Sequence, residues 1–297
     1  MRSRRSFLVR SGSLALVIGT TGARAAQSRG DRVGMGTVIL RNRFEQTKPK
    51  GIERIGNPLT LLDVPAYYRK RFKVRQLEFW SHHFESLDPA YLAELRGRIE
   101  AARAELINVQ MDGAYDLAST DDVERQRSLA LARNWIDAAA SLGSRAVRIN
   151  PGKPGGSIDQ SIASMRELNR YCISKRLPLL TENHFGLEMD PDVHLRIREA
   201  AGPENSWTDP DFGNYPVETM WESLAKIIPF AYVVSAKAVD FDAGGKHISY
   251  DFDRCVRMCE RAGFKGIYLV EQWSRKDQDL DPEKIADWLL QRVRTLT

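Results

Sequence analysis

The sequence predicts a single α/β domain folded as a (β/α)8 TIM barrel, and three observations carry that prediction. Eight strand-like runs alternate with eight helix-period segments, an order that implies parallel pairing. About 270 residues follow an N-terminal leader, the length of one closed barrel of eight strand-helix units. No linker, repeat or compositional break divides that stretch.

The strand-like runs are read at 37–40, 76–80, 106–110, 146–150, 178–182, 206–212, 231–237 and 266–271, and the helical segments at 60–71, 89–104, 121–142, 158–175, 191–200, 217–228, 252–262 and 282–294. The third helix shows the period well. Leu129, Ala132, Trp135, Ile136 and Ala139 recur at intervals of three and four, and Gly143 stops the helix before the next apolar run. Gly263 and Gly266 end the seventh helix in the same way. The polar segment 41–57, with Pro49, Gly51 and Gly56, is expected to be a loop covering part of the barrel mouth.

Residues 1–25 read as an address. Arg4 and Arg5 precede Ser6, Phe7 and Leu8, a mildly apolar stretch runs from Leu14 to Ile18, and Ala23-Arg24-Ala25 offers a small-residue cleavage site. The stretch resembles a twin-arginine export signal, which implies cleavage after Ala25, a mature domain over 26–297 and a periplasmic location. It is short for a bilayer span, so an uncleaved anchor is the lesser alternative. No stable membrane insertion is expected after cleavage.

The leader also accounts for the basic balance. The whole chain has 44 Lys and Arg against 39 Asp and Glu, and five of the arginines lie within 1–25 together with no acid, so the mature protein is formally neutral. That argues against a nucleic-acid partner, which needs a concentrated surplus of Lys and Arg, and favours a small uncharged carbohydrate. A homo-oligomer is compatible with the sequence, which sets no oligomeric state. Cys172, Cys255 and Cys259 read as small apolar core residues: Cys255 and Cys259 share a helix face, a poor geometry for a disulfide.

Function is read at the strand ends. LPLLTENH places Glu182 at the end of one run, SWTDPDFGN places Asp211, AYVVSAK places Lys237, and GIYLVEQW places Glu271. In a parallel barrel these ends converge, and converging buried acids need a cation or a proton. The segments TENHFG (181–186), PDFGNYP (210–216), SAKAVDFD (235–242) and LVEQW (269–273) resemble the xylose-isomerase-like barrel superfamily, which includes sugar-phosphate isomerases and epimerases, ketose 3-epimerases, inosose dehydratases and barrel-type abasic-site endonucleases. The resemblance covers nearly the whole mature chain.

It implies a divalent cation held by Glu, Asp, His and Glu from successive strands, with Glu182, Asp211 and Glu271 at the first, second and fourth positions. The third departs from the pattern. Relatives carry His-x-Lys on the seventh strand, whereas this chain reads Ser235-Ala236-Lys237. An oxygen-rich shell favours Mn2+ or Mg2+ over zinc, while the Lys237 ammonium offers another way of balancing the acids. His184 is a candidate to complete the shell or to hydrogen-bond substrate, and Asn214 matches a substrate-contacting position.

Strand phase alone adds Arg148 and Asn150 as sugar-hydroxyl ligands, with an Arg148–Glu78 ion pair inside the barrel as the structural alternative. Trp80 and His82, in phase with Glu78, and Trp273 are candidate stacking surfaces for a sugar ring, with core packing as their alternative. The resulting expectation is an isomerase or epimerase in which Glu182 and Glu271 move a proton next to a carbonyl and Lys237 assists. The export signal favours an unphosphorylated sugar or keto-sugar. GKPGG at 152–156 lacks the order of a phosphate loop. A lyase or hydratase of the inosose dehydratase kind and a non-catalytic periplasmic carbohydrate-binding protein are the alternatives. The endonuclease branch, which the resemblance pairs with a histidine-rich zinc cluster and a basic surface, is disfavoured by five histidines, mostly scattered, and the neutral mature charge.

Overall fold

All eight expected repeats are present in the computed structural model, which describes residues 32–51, 53–274 and 281–297. The expected leader and its cleavage site lie outside the described residues. The strands are β1 (Val33–Gly36), β2 (Gln76–Trp80), β3 (Glu105–Met111), β4 (Val147–Ile149), β5 (Leu179–Glu182), β6 (Ser206–Asp209), β7 (Val233–Ala238) and β8 (Ile267–Gln272). The helices are α1 (Val64–Arg71), α2 (Pro89–Ala101), α3 (Asp122–Ser141), α4 (Ile158–Ser174), α5 (Pro191–Ala201), α6 (Val217–Ile227), α7 (Phe252–Arg261) and α8 (Pro282–Leu296). Five helices start on a side-chain cap, Asp121, Ser157, Asp190, Asp251 or Asp281, each accepting from a backbone N–H of the first turn.

All ladders are parallel, in the order β6-β5-β4-β3-β2-β1-β8-β7. Between β6 and β7 the barrel closes through the isolated parallel bridges Thr208–Ala231 and Asp211–Ser235.

The first strand lies earlier than its sequence suggests. Residues 37–43 form 3-10 turns, and the strand is the preceding VGMG. Glycines at 34 and 36 hide its strand character, yet they are required by close approach. A Cβ on Gly34 would lie 2.8 Å from Gln76 Cβ and from Leu269 Cδ2, and one on Gly36 would lie 3.0 Å from Glu78 Oε2. The segment expected as an open loop after it also contains a 3-10 turn at Glu45–Thr47.

The main core lies between strands and helices and includes Met35, Phe79, Val109, Ile136, Leu168, Leu224, Val270 and Leu289. The cysteines are free and buried. A second cluster, Ile107, Ala146, Leu180, Val233, Ile267 and Leu269, fills the N-terminal end of the barrel interior. Two residues further along the same strands the inward side chains become Arg148, Glu182, Ser235 and Glu271. The site therefore stands on an apolar floor.

Candidate functional site

Register explains why the four strand-end residues meet. Lys237 on β7 pairs with Glu271 on β8, and Asp211, just past β6, bridges Ser235. Residues at one level of adjacent parallel strands point the same way, so Glu182, Asp211, Lys237 and Glu271 converge at the C-terminal ends. Asn183 ties two of those ends together, its Nδ2 donating to the Asp211 carbonyl (3.0 Å) while its Oδ1 accepts from the Asp211 N–H (2.8 Å). Asn150 Oδ1 fixes the neighbouring backbone by accepting from Glu182 N–H at 3.0 Å.

Two cations organise the acids. Lys237 Nζ lies 3.2 Å from Asp211 Oδ2 and 3.2 Å from Glu271 Oε1, and it donates to Asn214 Oδ1 at 3.0 Å. Asn214 Nδ2 in turn donates to Glu182 Oε1 at 3.0 Å. On the other flank Arg148 grips Asp112 through both terminal nitrogens (2.8 and 3.3 Å), and its Nε lies 3.1 Å from Glu182 Oε2 as a charge contact without hydrogen-bond alignment. Asp112 Oδ2 also accepts from Trp80 Nε1 at 2.7 Å.

Burial sets the protonation pattern. It raises the Glu182 carboxyl first, Arg148 pulls it down, and the negative charges of Glu271 and Asp209 push it up again, leaving it at about 8. Asp211 is also raised, by burial first; Lys237 opposes this, whereas the Glu182 carboxyl within hydrogen-bonding reach adds to it. Burial raises Asp112 too, but the adjacent Arg148 outweighs it and holds that carboxylate well below its ordinary range. Burial lowers Lys237, and Asp211, Glu271 and Glu182 more than reverse it, so the ammonium stays charged. Burial, reinforced by Arg148, brings His184 down to about 4, leaving a neutral imidazole.

Above these groups opens a cavity of about 470 Å³. Nine residues predicted from sequence line it: Trp80, Arg148, Asn150, Glu182, His184, Asn214, Lys237, Glu271 and Trp273. Asp211 and Ser235 are fully buried behind the wall. His82 is not brought into it, because the chain leaves β2 after Trp80 in a 3-10 turn and the two-residue period stops; its ring stacks on Trp80 from outside, centroids 4.5 Å apart. The expected Arg148–Glu78 alternative is corrected by the structure: Arg148 pairs with Asp112 and Glu182, while Glu78 accepts from Asn108 at 2.9 Å. Trp80 and Trp273 meet edge to face at 6.0 Å, with Arg41 4.4 Å over Trp273.

Sequence reasoning missed Asp112, Gln110, Phe185 and Glu188, all in the cavity wall. Asp112 follows β3 directly, so the strand-end rule that found Glu182 reaches it once the strand is read two residues further. Phe185 is 58% exposed beside His184 and gave no periodic signal.

A sequence profile of the xylose isomerase-like TIM barrel family matches residues 70–296. The chain belongs to the xylose isomerase-like TIM barrel family. A curated relative, the L-ribulose-5-phosphate 3-epimerase of Shigella flexneri serotype 5b (strain 8401), is 24% identical over 201 residues, covering 60% of this chain and 68% of that one. Among solved structures, D-allulose 3-epimerase from Methylomonas sp. matches with a TM-score of 0.67 at 14% identity over 90% of this chain and 98% of its own. A xylose isomerase-like TIM barrel protein from Mycobacterium smegmatis, solved in complex with magnesium, matches with a TM-score of 0.60 at 16% identity over 90% and 98%. These structural likenesses establish the fold.

The magnesium in that family member makes the cation of this site a question of fit. Here the donor set differs from the one that the resemblance implies: Ser235 stands where a histidine is expected and its hydroxyl donates to Asp211 Oδ2 at 3.4 Å, while the Lys237 ammonium lies between Asp211 and Glu271. Among the described residues no three His, Cys, Asp or Glu side chains form a metal-holding group. The residues present do not fit a divalent ion with the lysine in this position.

Proposed function

We propose that this family member is a sugar isomerase or epimerase that moves a proton on a carbon next to a carbonyl, acting on an unphosphorylated sugar or keto-sugar. The observation that carries the reading is the pair Glu182 and Glu271: two carboxyls enter one cavity, and each is held by a cation, Arg148 at 3.1 Å and Lys237 at 3.2 Å. Glu271, ion-paired, is the base. Glu182, brought up to about 8, carries the proton to be delivered at neutral pH. As the carbon proton leaves, charge develops on the carbonyl oxygen, and the ammonium and guanidinium supply the positive potential that offsets it. Delivery to the neighbouring carbon is isomerisation; delivery to the opposite face is epimerisation. Asn150, Asn214 and neutral His184 are the polar groups available to sugar hydroxyls, and Trp80 and Trp273 give an apolar face for the ring.

The epimerase relatives support the reaction class. The absence of phosphate from the substrate rests on the paired arginines of the N-terminus and the export they imply.

The test is solvent exchange. Incubation with a panel of unphosphorylated ketoses and keto-glycosides in D2O should place deuterium on the carbon next to the carbonyl, and Glu271→Gln should slow this about 10²- to 10⁴-fold. Exchange coupled to loss of water or a glycosyl group would make the protein a lyase. Sugars that bind without any exchange would make it a binding protein and end the enolisation reading.

A further inference from the structure

We propose that the Lys237 ammonium is the resident cation of this site, replacing the divalent ion of the family's metal-bound members, so that this chain works without a metal. The inference rests on reading the barrel mouth as the active site, but its test reads metal binding and not turnover, so either can fail without the other.

Three structural features combine. The ammonium donates to Asn214 Oδ1 at 3.0 Å and lies 3.2 Å from both Asp211 Oδ2 and Glu271 Oε1 as ion pairs. A buried charge held between two carboxyls and an amide oxygen suits a fixed cation and not a mobile surface lysine.

The stem has a built path. Gly213 lies beneath it, and a Cβ there would come within 3.2 Å of Lys237 Cγ and 3.1 Å of Cδ, so glycine lets the aliphatic chain lie against the backbone. The Lys237 carbonyl accepts from Tyr250 O–H, which pins the strand where the side chain departs.

The third feature is Ser235. A neutral imidazole would add a strong nitrogen ligand, whereas a serine hydroxyl is a weak ligand and here spends its proton on Asp211 Oδ2. Only the serine departs from the His-x-Lys pattern that the resemblance implies: the nitrogen ligand of a metal is missing, and the retained ammonium occupies the point shared by the carboxylates. A divalent ion placed between Asp211 and Glu271 would meet that ammonium at contact distance, where like charges repel strongly.

The experiment uses the full purified chain. Elemental analysis should find far less than one equivalent of divalent metal, and neither EDTA nor millimolar Mn2+ or Mg2+ should move the melting temperature. Lys237→Met removes the ammonium and leaves its acceptors facing one another, so its melting temperature should fall and Mn2+ should restore it. Lys237→Met combined with Ser235→His rebuilds the nitrogen ligand and should bind Mn2+ more tightly, with a metal-induced rise of roughly 5 °C at saturating ion and a change in the Mn2+ electron paramagnetic resonance signal. A wild-type protein with one tightly held divalent ion and a melting temperature lowered by EDTA would overturn the proposal. So would lysine variants that stay folded but gain no affinity for Mn2+. Should those variants fail to fold, the wild-type metal content and chelator response decide alone.

Discussion

The two ends of the barrel interior are made by the same strands and differ in almost everything else. At the N-terminal end Leu180, Val233 and Leu269 pack with Ile107, Ala146 and Ile267 in an apolar cluster. Two residues further, about 7 Å at the rise of a strand, the same strands present Glu182, Ser235 and Glu271. One end shields apolar surface from water. The other confines more carboxyl groups than it has cations, with Glu78, Asp209 and Asp211 all raised, by burial first and by their neighbours' negative charge. The floor buries apolar side chains, whereas the mouth buries carboxyls whose charged forms are disfavoured there.

The most direct way to break that contrast is to cut into the floor. Leu269 is fully buried there, so Leu269→Ala should lower unfolding free energy by about 2 to 5 kcal/mol. Urea denaturation would register this, and sugar affinity of the remaining folded protein should change little.

A smaller effect comes from the outward face of the same strand. Thr181, next to Glu182 but pointing away from the barrel axis, meets His194 Nε2 through its hydroxyl at 2.6 Å. Burial above all brings His194 down to about 4 from its ordinary 6.5. A depressed histidine contributes stability that is fully present above pH 6.5 and is lost as pH falls through 6.5 toward 4. The stability deficit of His194→Gln measured at pH 7.5 should therefore shrink by about 2 kcal/mol at pH 5. A deficit independent of pH would mean that the imidazole is not held neutral.

The smallest effect tests the mouth itself. Both Asp209 oxygens lack an aligned hydrogen-bond partner, and the nearby Ser235 N–H is directed to the Pro210 carbonyl at 3.0 Å. Burial above all raises Asp209 to about 7, so it is only partly charged at neutral pH; Asp209→Asn keeps the shape, removes that partial charge and should be neutral or stabilise by about 1 kcal/mol, read as a modest rise in melting temperature. A large loss would give Asp209 a structural role in the charge network.

The fold and much of the site are legible in the sequence because period-two patterning and helix caps are local. Seven of the eight strands are found within a few residues of their places, and Glu182, Lys237 and Glu271 stand at strand ends as expected. Most of what fails is non-local. Gly34 and Gly36 look unlike a strand because the reason for them, contact with Gln76, Leu269 and Glu78, lies on other strands. Phase offers Glu78 only as the alternative partner of Arg148, whereas the β3–β4 register sets Gln110 beside Arg148 and carries the β3 end, with Asp112, to the guanidinium. One failure is local: the two-residue period that places His82 in the wall ends where the chain turns at Ser81.

The closure between β6 and β7 has a consequence of its own. Seven of the eight strand junctions are ladders, while this one is held by three backbone bonds, Tyr232 N to Thr208 O, Ser235 N to Pro210 O and Phe212 N to Ser235 O. Glu182 and Asp211 sit on one side of that seam, Lys237 and Glu271 on the other. The contact of Lys237 with Asp211 is therefore a clasp across the weakest stave of the barrel. On the proposed reading, a sugar that draws on the lysine's charge should loosen the clasp and speed hydrogen exchange at the Tyr232, Ser235 and Phe212 amides; exchange unchanged by sugar would show that the clasp holds without Lys237.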